Sequence, residues 1–260
     1  MKKNFSATII SLFLVFTLIS SASADEMIGV KAGFITLDAG GDISVSATGI
    51  GGTFVDVDTV LNLERENTGI GEIYLQLGDF RASASYLPLK FTGNSVLSTP
   101  VTFNGIIFPV TTPVESKLDA DIVDLGLTYF LLNFDDLPSR LQIGIEAAVK
   151  IVVAEASMQS TIPPPAPPIS ASASQTVPIP TIGLRGRVAL ADLIGLTGRI
   201  GGLAYKESHI VDGEIQVEFS PIPLLGVFAG YRYIKLKVDE SGVFVDTHFQ
   251  GPMVGAFARF

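Results

Sequence analysis

The chain has 260 residues, 47% hydrophobic and only 17% charged, with a net charge of −9 at pH 7 and no cysteine. The acidic balance argues against a nucleic-acid partner, which needs a basic footprint, and the missing cysteines exclude disulfides, thiol catalysis and cysteine-type zinc sites. Beyond the N-terminus the apolar residues are spread out rather than gathered into runs of roughly 20, so no second helical membrane span is expected.

The chain opens with Lys2 and Lys3, a mostly apolar stretch over 5–19, and the small-x-small sequence Ala22-Ser23-Ala24. That order predicts a cleaved signal peptide over 1–24, leaving 25–260 as the mature domain. An uncleaved inner-membrane anchor fits less well, because the apolar run is short and a cleavage pattern follows it directly.

Past Asp25 the recurring pattern has period two. Glu72, Tyr74 and Gln76 alternate with Ile73, Leu75 and Leu77, and Asp124, Gly126 and Thr128 alternate with Val123, Leu125, Leu127 and Tyr129. Over 140–153 the set Arg140, Gln142, Gly144, Glu146, Ala148 and Lys150 opposes a wholly apolar set from Leu141 to Val153. Thr181, Gly183, Arg185 and Arg187 oppose Ile182, Leu184, Gly186 and Val188; Asp212, Glu214, Gln216 and Glu218 oppose Gly213, Ile215, Val217 and Phe219. Phe228, Gly230 and Arg232 continue the series. Successive side chains of a strand point to opposite faces, so each stretch reads as a strand with one greasy and one wet side.

Short spacers at 78–79, 133–139, 191–195 and 220–223 alternate with longer ones at 39–68, 93–116 and 157–176 and modest ones near 207–211 and 239–242. Alternating short turns and long loops, with apolar faces toward lipid and polar faces toward a lumen, predict an all-β fold, a transmembrane antiparallel up-and-down β-barrel. The expected strand number is about ten; eight or twelve stay open, depending on how weak strands merge and whether a long loop contains a hairpin. The run 163–168 reads as polyproline followed by a mobile tract at 170–174. The loop 102–110, with Phe103, Ile106, Ile107 and Phe108, is apolar enough to fold into the barrel mouth or to extend its strands.

The chain closes GPMVGAFARF, with Val254, Ala256, Ala258 and Phe260 on one face and Arg259 on the other; Phe260 is expected to be the assembly signal. Together with LRGRVAL at 184–190, GLAYKESHIVDGEIQVEFSPIPLLGVFAGYRY at 202–233 and VDVDTVLNL at 55–63, this resembles the small Gram-negative outer-membrane β-barrel proteins, broadly OmpW-like and closest to a little-characterised group of such barrels. The resemblance implies an outer-membrane location and a barrel fold. More loosely, it implies passage of small hydrophobic molecules, and it carries over no residue-level chemistry.

Strand parity places a charge network in the lumen: Glu72, Asp124, Glu146, Lys150, Arg185, Arg187, Arg199, Asp212, Glu214, Glu218 and Arg232, with Arg81, Arg140 and Arg259 as further candidates. In a narrow barrel these side chains should pair and fill the interior, with Arg185 and Arg187 against Glu214 and Glu218 the first pairs to expect. The mature histidines are His209 and His248. Ser208 and His209 would point oppositely in a strand, so although Asp212 or Asp246 could orient a histidine, no catalytic residues, cofactor or metal are expected. The acidic loop residues Asp38, Asp42, Asp56, Asp58, Glu64, Glu66, Asp119 and Asp121 read as a solvated rim rather than a Ca²⁺ loop. Tyr86, Tyr129, Tyr231 and Tyr233 suit interfacial girdles.

The expected function is an integral outer-membrane barrel of structural or narrow-channel type, with passage of small hydrophobic solutes as one form of it and a lipid- or peptide-cleaving enzyme or a loop-displayed adhesin or receptor as alternatives. Expected partners are outer-membrane lipid and lipopolysaccharide, the barrel-assembly machinery and periplasmic chaperones, with no nucleic acid.

Overall fold

The computed structural model describes residues 28–45, 52–53, 55–56, 62–134, 141–161, 167–191, 193–205, 208–222, 224–240 and 243–260. The leader at 1–24, Arg140 and most of the proline run lie outside these residues. The strands are β1 (Ile28–Val45), β2 (Val55–Asp56), β3 (Glu66–Leu77), β4 (Phe80–Val96), β5 (Val101–Phe103), β6 (Ile106–Phe108), β7 (Pro113–Phe134), β8 (Leu141–Ser160), β9 (Ser170–Ala191), β10 (Ile194–Tyr205), β11 (Ser208–Ile222), β12 (Leu225–Glu240) and β13 (Val243–Arg259).

Each long strand pairs antiparallel with its neighbour in sequence, in the order β13-β12-β11-β10-β9-β8-β7-β4-β3-β1, and β13 pairs with β1 to close a ten-stranded barrel. At the seam Gly29 faces Arg259, and Phe260 N donates to Ile28 O at 2.8 Å while Ile28 N donates to Phe260 O at 2.9 Å. Closure leaves no open sheet edge within the bilayer, where unpaired backbone groups would cost several kcal/mol each. The terminal Phe therefore completes the ladder as its last rung.

The alternation read from the sequence sets the two faces. On β8, Gln142, Glu146 and Lys150 are buried in the lumen while Ile143, Ile145 and Val149 are exposed on the outer wall. On β7, Leu125, Leu127, Tyr129 and Leu131 are exposed, as are Ile182 and Leu184 on β9, Ile215 and Val217 on β11, and Val254 on β13. Large aliphatic side chains exposed in this contiguous band have lipid as their natural solvent. Phe80 and Tyr129 pack at 4.9 Å beside the tight turn Gly78-Asp79, at the end of the barrel that carries the chain terminus. Gly78 has φ +56° in that turn, a conformation glycine adopts at little cost. At the other rim Tyr86 Oη donates to Asp121 at 2.6 Å.

The strands are longer than the alternation suggested. Three stretches expected as long loops are partly strand: β1 continues to Val45, β4 and β7 extend to Val96 and from Pro113, and β8 and β9 extend to Ser160 and from Ser170. The tract at 170–174, expected to be mobile, is paired with 155–159 of β8 in regular register. Beyond the membrane the outer face turns polar, as in Lys117, Asp119, Asp121 and Glu155, so the greasy-face signal ends while the hydrogen-bond ladder goes on. The wall is not level. β9 pairs with β10 only as far as Ile182 opposite Gly202, so among the described residues 170–181 pairs with β8 alone. Pro178 and Pro180 lie in that stretch opposite Ile151 and Val149. Proline has no N–H to give, and it is tolerated where a strand has a free edge.

Candidate functional site

The interior of the barrel is split across its length into two chemically distinct halves. The half nearest the tight turns and chain terminus is charged. Asp212, on β11, sits against three cations: Arg232 Nη2 at 2.9 Å, Lys150 Nζ at 2.7 Å and Arg199 Nη2 at 3.3 Å. Lys150 also bonds Asp124, its register partner on β7, and Arg199 Nη1 reaches Asp124 at 2.8 Å. Glu146 accepts from Thr128 Oγ1 at 3.0 Å and from Arg185. Glu72 takes Arg81 at 3.0 Å and Arg185 at 3.4 Å. Glu218 binds Lys31 at 2.8 Å, Arg259, and Arg187 at 3.7 Å. Glu214 lies 3.8 Å from Arg199 and 3.9 Å from Arg232.

The sequence-predicted network is thus brought together, with one change of partner. Arg187 meets Glu218 as expected, whereas Arg185 turns to Glu146 and Glu72 rather than to Glu214. Strand offset explains this: Arg185 stands opposite Gly144, one step from the Glu146 side of β8, with Arg199 between it and β11. The network also includes Lys31, which no sequence pattern placed there, with Gln142 and Gln216, on the polar faces expected for β8 and β11, as neutral members. Lys31 Nζ donates to Gln216 at 3.0 Å. Its lumen-side neighbours on β1 are Gly33, Ile35 and Leu37, so no polar face advertised it. Cations here also lie on aromatic faces: Arg81 is 3.5 Å from the Tyr74 ring centroid and Arg259 is 4.0 Å from that of Phe257, which offsets part of the cost of removing them from water.

The opposite half is apolar inside. Ile35, Leu37, Leu87, Leu89, Phe91, Ile122, Val152, Ile234 and Phe249 belong to one buried cluster. The expectation that polar sides enclose the lumen therefore holds for only half of it. Between Leu89, Ile122, Val152, Ala154, Ile210 and Phe249 is a cavity of about 190 Å³, with Lys150 and Asp212 among its walls. The β5–β6 hairpin covers this half: Val101, Phe103 and Phe108 are buried beside Leu63, Leu97 and Val114. The apolar loop over 102–110 thus folds into the mouth, held in part by Asn104 Nδ2 donating to Ser172 O at 2.8 Å. Asn104 and Gly105 take positive φ at the hairpin tip, as a tight two-residue turn requires.

Both histidines face away from the lumen. Ile210 is buried inward, so its neighbour His209 points out, and Asp212 lies on the opposite side of the same strand. His248 stacks beside Tyr233 at 6.2 Å on the outer wall. Asp246 shares that face but pairs with Lys235 at 3.6 Å. Outside the membrane band, Arg65 donates to Asp38 at 2.6 and 2.9 Å, a hydrogen-bonded pair that holds the guanidinium above its ordinary value.

No family model matches the chain, and no curated protein matches it. Solved structures do. The outer membrane protease OmpT from Escherichia coli aligns over 93% of this chain and 99% of its own, at 14% identity and a TM-score of 0.56. The translocator domain of the autotransporter NalP from Neisseria meningitidis aligns over 98% of this chain and 95% of its own, at 12% identity and a TM-score of 0.48. At 14% identity the likeness to OmpT carries the fold and not the chemistry. By its closed ten-stranded wall, its lipid-facing band and that shared fold, the chain is a transmembrane β-barrel of the outer-membrane type.

Proposed function

We propose that this barrel takes up small hydrophobic solutes in its apolar outer half and does not serve as an open aqueous pore. The observation that carries the proposal is the cavity of about 190 Å³ walled by Leu89, Ile122, Val152, Ile210 and Phe249 and resting on Lys150 and Asp212. An apolar cavity of about 150 Å³ stays dry and is enough to hold benzene, so the fitting solute is roughly one aromatic ring or a short branched alkane. Such a molecule gains by leaving water, at about 25 cal/mol for each Å² of apolar surface buried. Below the cavity the ion pairs fill the lumen and give a neutral solute no straight path onward.

The proposed role is not enzymatic, in keeping with histidines on the outer wall. In this reading the leader at 1–24 directs export, Phe260 is read by the assembly machinery after periplasmic chaperones deliver the chain, and the outer wall contacts lipid and lipopolysaccharide.

The test is titration of the purified, folded barrel with a fluorescent naphthalene- or benzene-based probe. Saturable binding that is lost in Ala154→Phe, whose ring occupies the cavity, is the expected result. Binding that is absent from the native barrel, or unchanged in a folded Ala154→Phe, would refute the proposal.

A further inference from the structure

Two polar groups that border the apolar chamber lack a full set of partners. Lys150 Nζ stands at the floor, where it meets Asp124 and, at 2.7 Å, Asp212. An ammonium has three N–H donors, so at least one of them has no acceptor among the described residues, although Lys150 is only 3% exposed. Thr247, on β13, is 2% exposed and lines the same chamber. Its register partner on β12 is Leu236, and the next lumen-facing residue along β13 is Phe249. Among the described residues its hydroxyl has no hydrogen-bond partner. A hydroxyl kept from water in this way costs free energy that a valine of the same shape would not. Apolar walls thus hold one spare donor on β8 and one group on β13 that can both donate and accept.

We propose that the chamber selects neutral phenols over hydrocarbons of the same shape, an inference that rests on the chamber being a solute site. A phenol hydroxyl has one hydrogen to donate and lone pairs to accept. It accepts from Lys150 and donates to Thr247, while the ring lies against Ile122, Val152, Ile210 and Phe249. A plain hydrocarbon leaves both polar groups unpaired. A site with buried polar groups discriminates against the analogue that cannot bond them. A charged solute fits less well. Lys150 is already shared by two carboxylates, and an added charge of either sign would lie in an apolar space with no partner of its own. The volume of about 190 Å³ holds one ring with a small substituent.

The test is displacement of the fluorescent probe from the folded barrel by p-cresol and by p-xylene, which differ by a hydroxyl in place of a methyl. p-Cresol leaves water less readily, so a chamber without polar partners would hold p-xylene more tightly. The expected result is that the native barrel binds p-cresol at least as tightly as p-xylene. Thr247→Val keeps the side-chain shape and removes the hydroxyl, and it should weaken p-cresol about tenfold relative to p-xylene. Thr247→Ser, which restores the hydroxyl, should restore the preference. Tighter native binding of p-xylene would overturn the inference and leave the chamber a hydrocarbon site. So would a folded Thr247→Val in which p-cresol loses no more affinity than p-xylene does. If the probe binds nowhere, or neither compound displaces it, the chamber is not a solute site and the inference falls with that reading. If Thr247→Val does not fold, the native comparison of the two compounds decides alone.

Discussion

Lys150 and Asp212 meet at 2.7 Å where the charged half of the lumen ends and the apolar chamber begins. Both side chains are almost wholly buried, and each contributes to the chamber wall. The contact therefore does two things: it closes the ion network, and it presents a polar floor to whatever occupies the chamber.

The first prediction concerns that floor. Asp212→Asn removes the carboxylate shared by Lys150, Arg199 and Arg232 and leaves Arg232 with Glu214, at 3.9 Å, as its remaining partner. Removing one side of a buried ion pair costs about 3–5 kcal/mol. The urea concentration at which the heat-modifiable gel form disappears should fall accordingly. An unchanged midpoint would mean that water reaches the network freely.

A second prediction concerns the lipid face. Leu127 sits in the middle of the exposed series on β7, so Leu127→Arg should cost about 2–4 kcal/mol in a bilayer. Ser172→Arg, on the tall extension of β9, should cost nothing measurable. Folding titrations into lipid vesicles compare the two; equal effects would place the membrane elsewhere on the wall.

The third concerns the mouth. Phe108 is completely buried and anchors the β5–β6 hairpin over the chamber. Phe108→Ser should loosen the hairpin without dissolving the barrel, and stopped-flow mixing should show faster association of a hydrophobic probe. If the rate is unaltered while the barrel stays folded, solutes do not pass the hairpin.

The fourth concerns packing in the chamber. Phe249 stacks on Phe91 with ring centroids 5.5 Å apart. Phe249→Ala should enlarge the chamber and cost about 3–5 kcal/mol. The same variant should bind a larger aromatic probe than the native barrel does, measured by comparing naphthalene and benzene derivatives. A native-like midpoint and an unaltered size preference would show that this pair does not shape the chamber.

How much of this was legible in the sequence depends on where each residue sits. On β8 the alternation of Gln142, Glu146 and Lys150 with Ile143, Ile145 and Val149 fixed both faces, because each face met a different solvent. Where the lumen is apolar the same logic fails. Leu87 and Leu89 face inward while Tyr86 and Lys90 face outward, so the usual polarity is reversed and the chamber had no signature of its own. Lys31 was missed for a related reason: a single charge on an otherwise apolar lumen face makes no pattern. Strand ends were misread as loops at 157–160 and 170–176 because the greasy face stops at the membrane boundary, although backbone pairing does not. Partner choice within the network, such as Arg185 with Glu146, depends on the stagger between strands, and periodicity along one strand contains no information about that.

The most direct test of the central claim, a lumen sealed by ion pairs beneath an apolar chamber, is single-channel recording of the native barrel in a planar bilayer. The account predicts a silent membrane: insertion confirmed by protease protection, with no unitary conductance steps. Regular, long-lived steps of uniform size would mean that water and ions pass through the region occupied by Lys150, Asp212 and Arg199, and would contradict it.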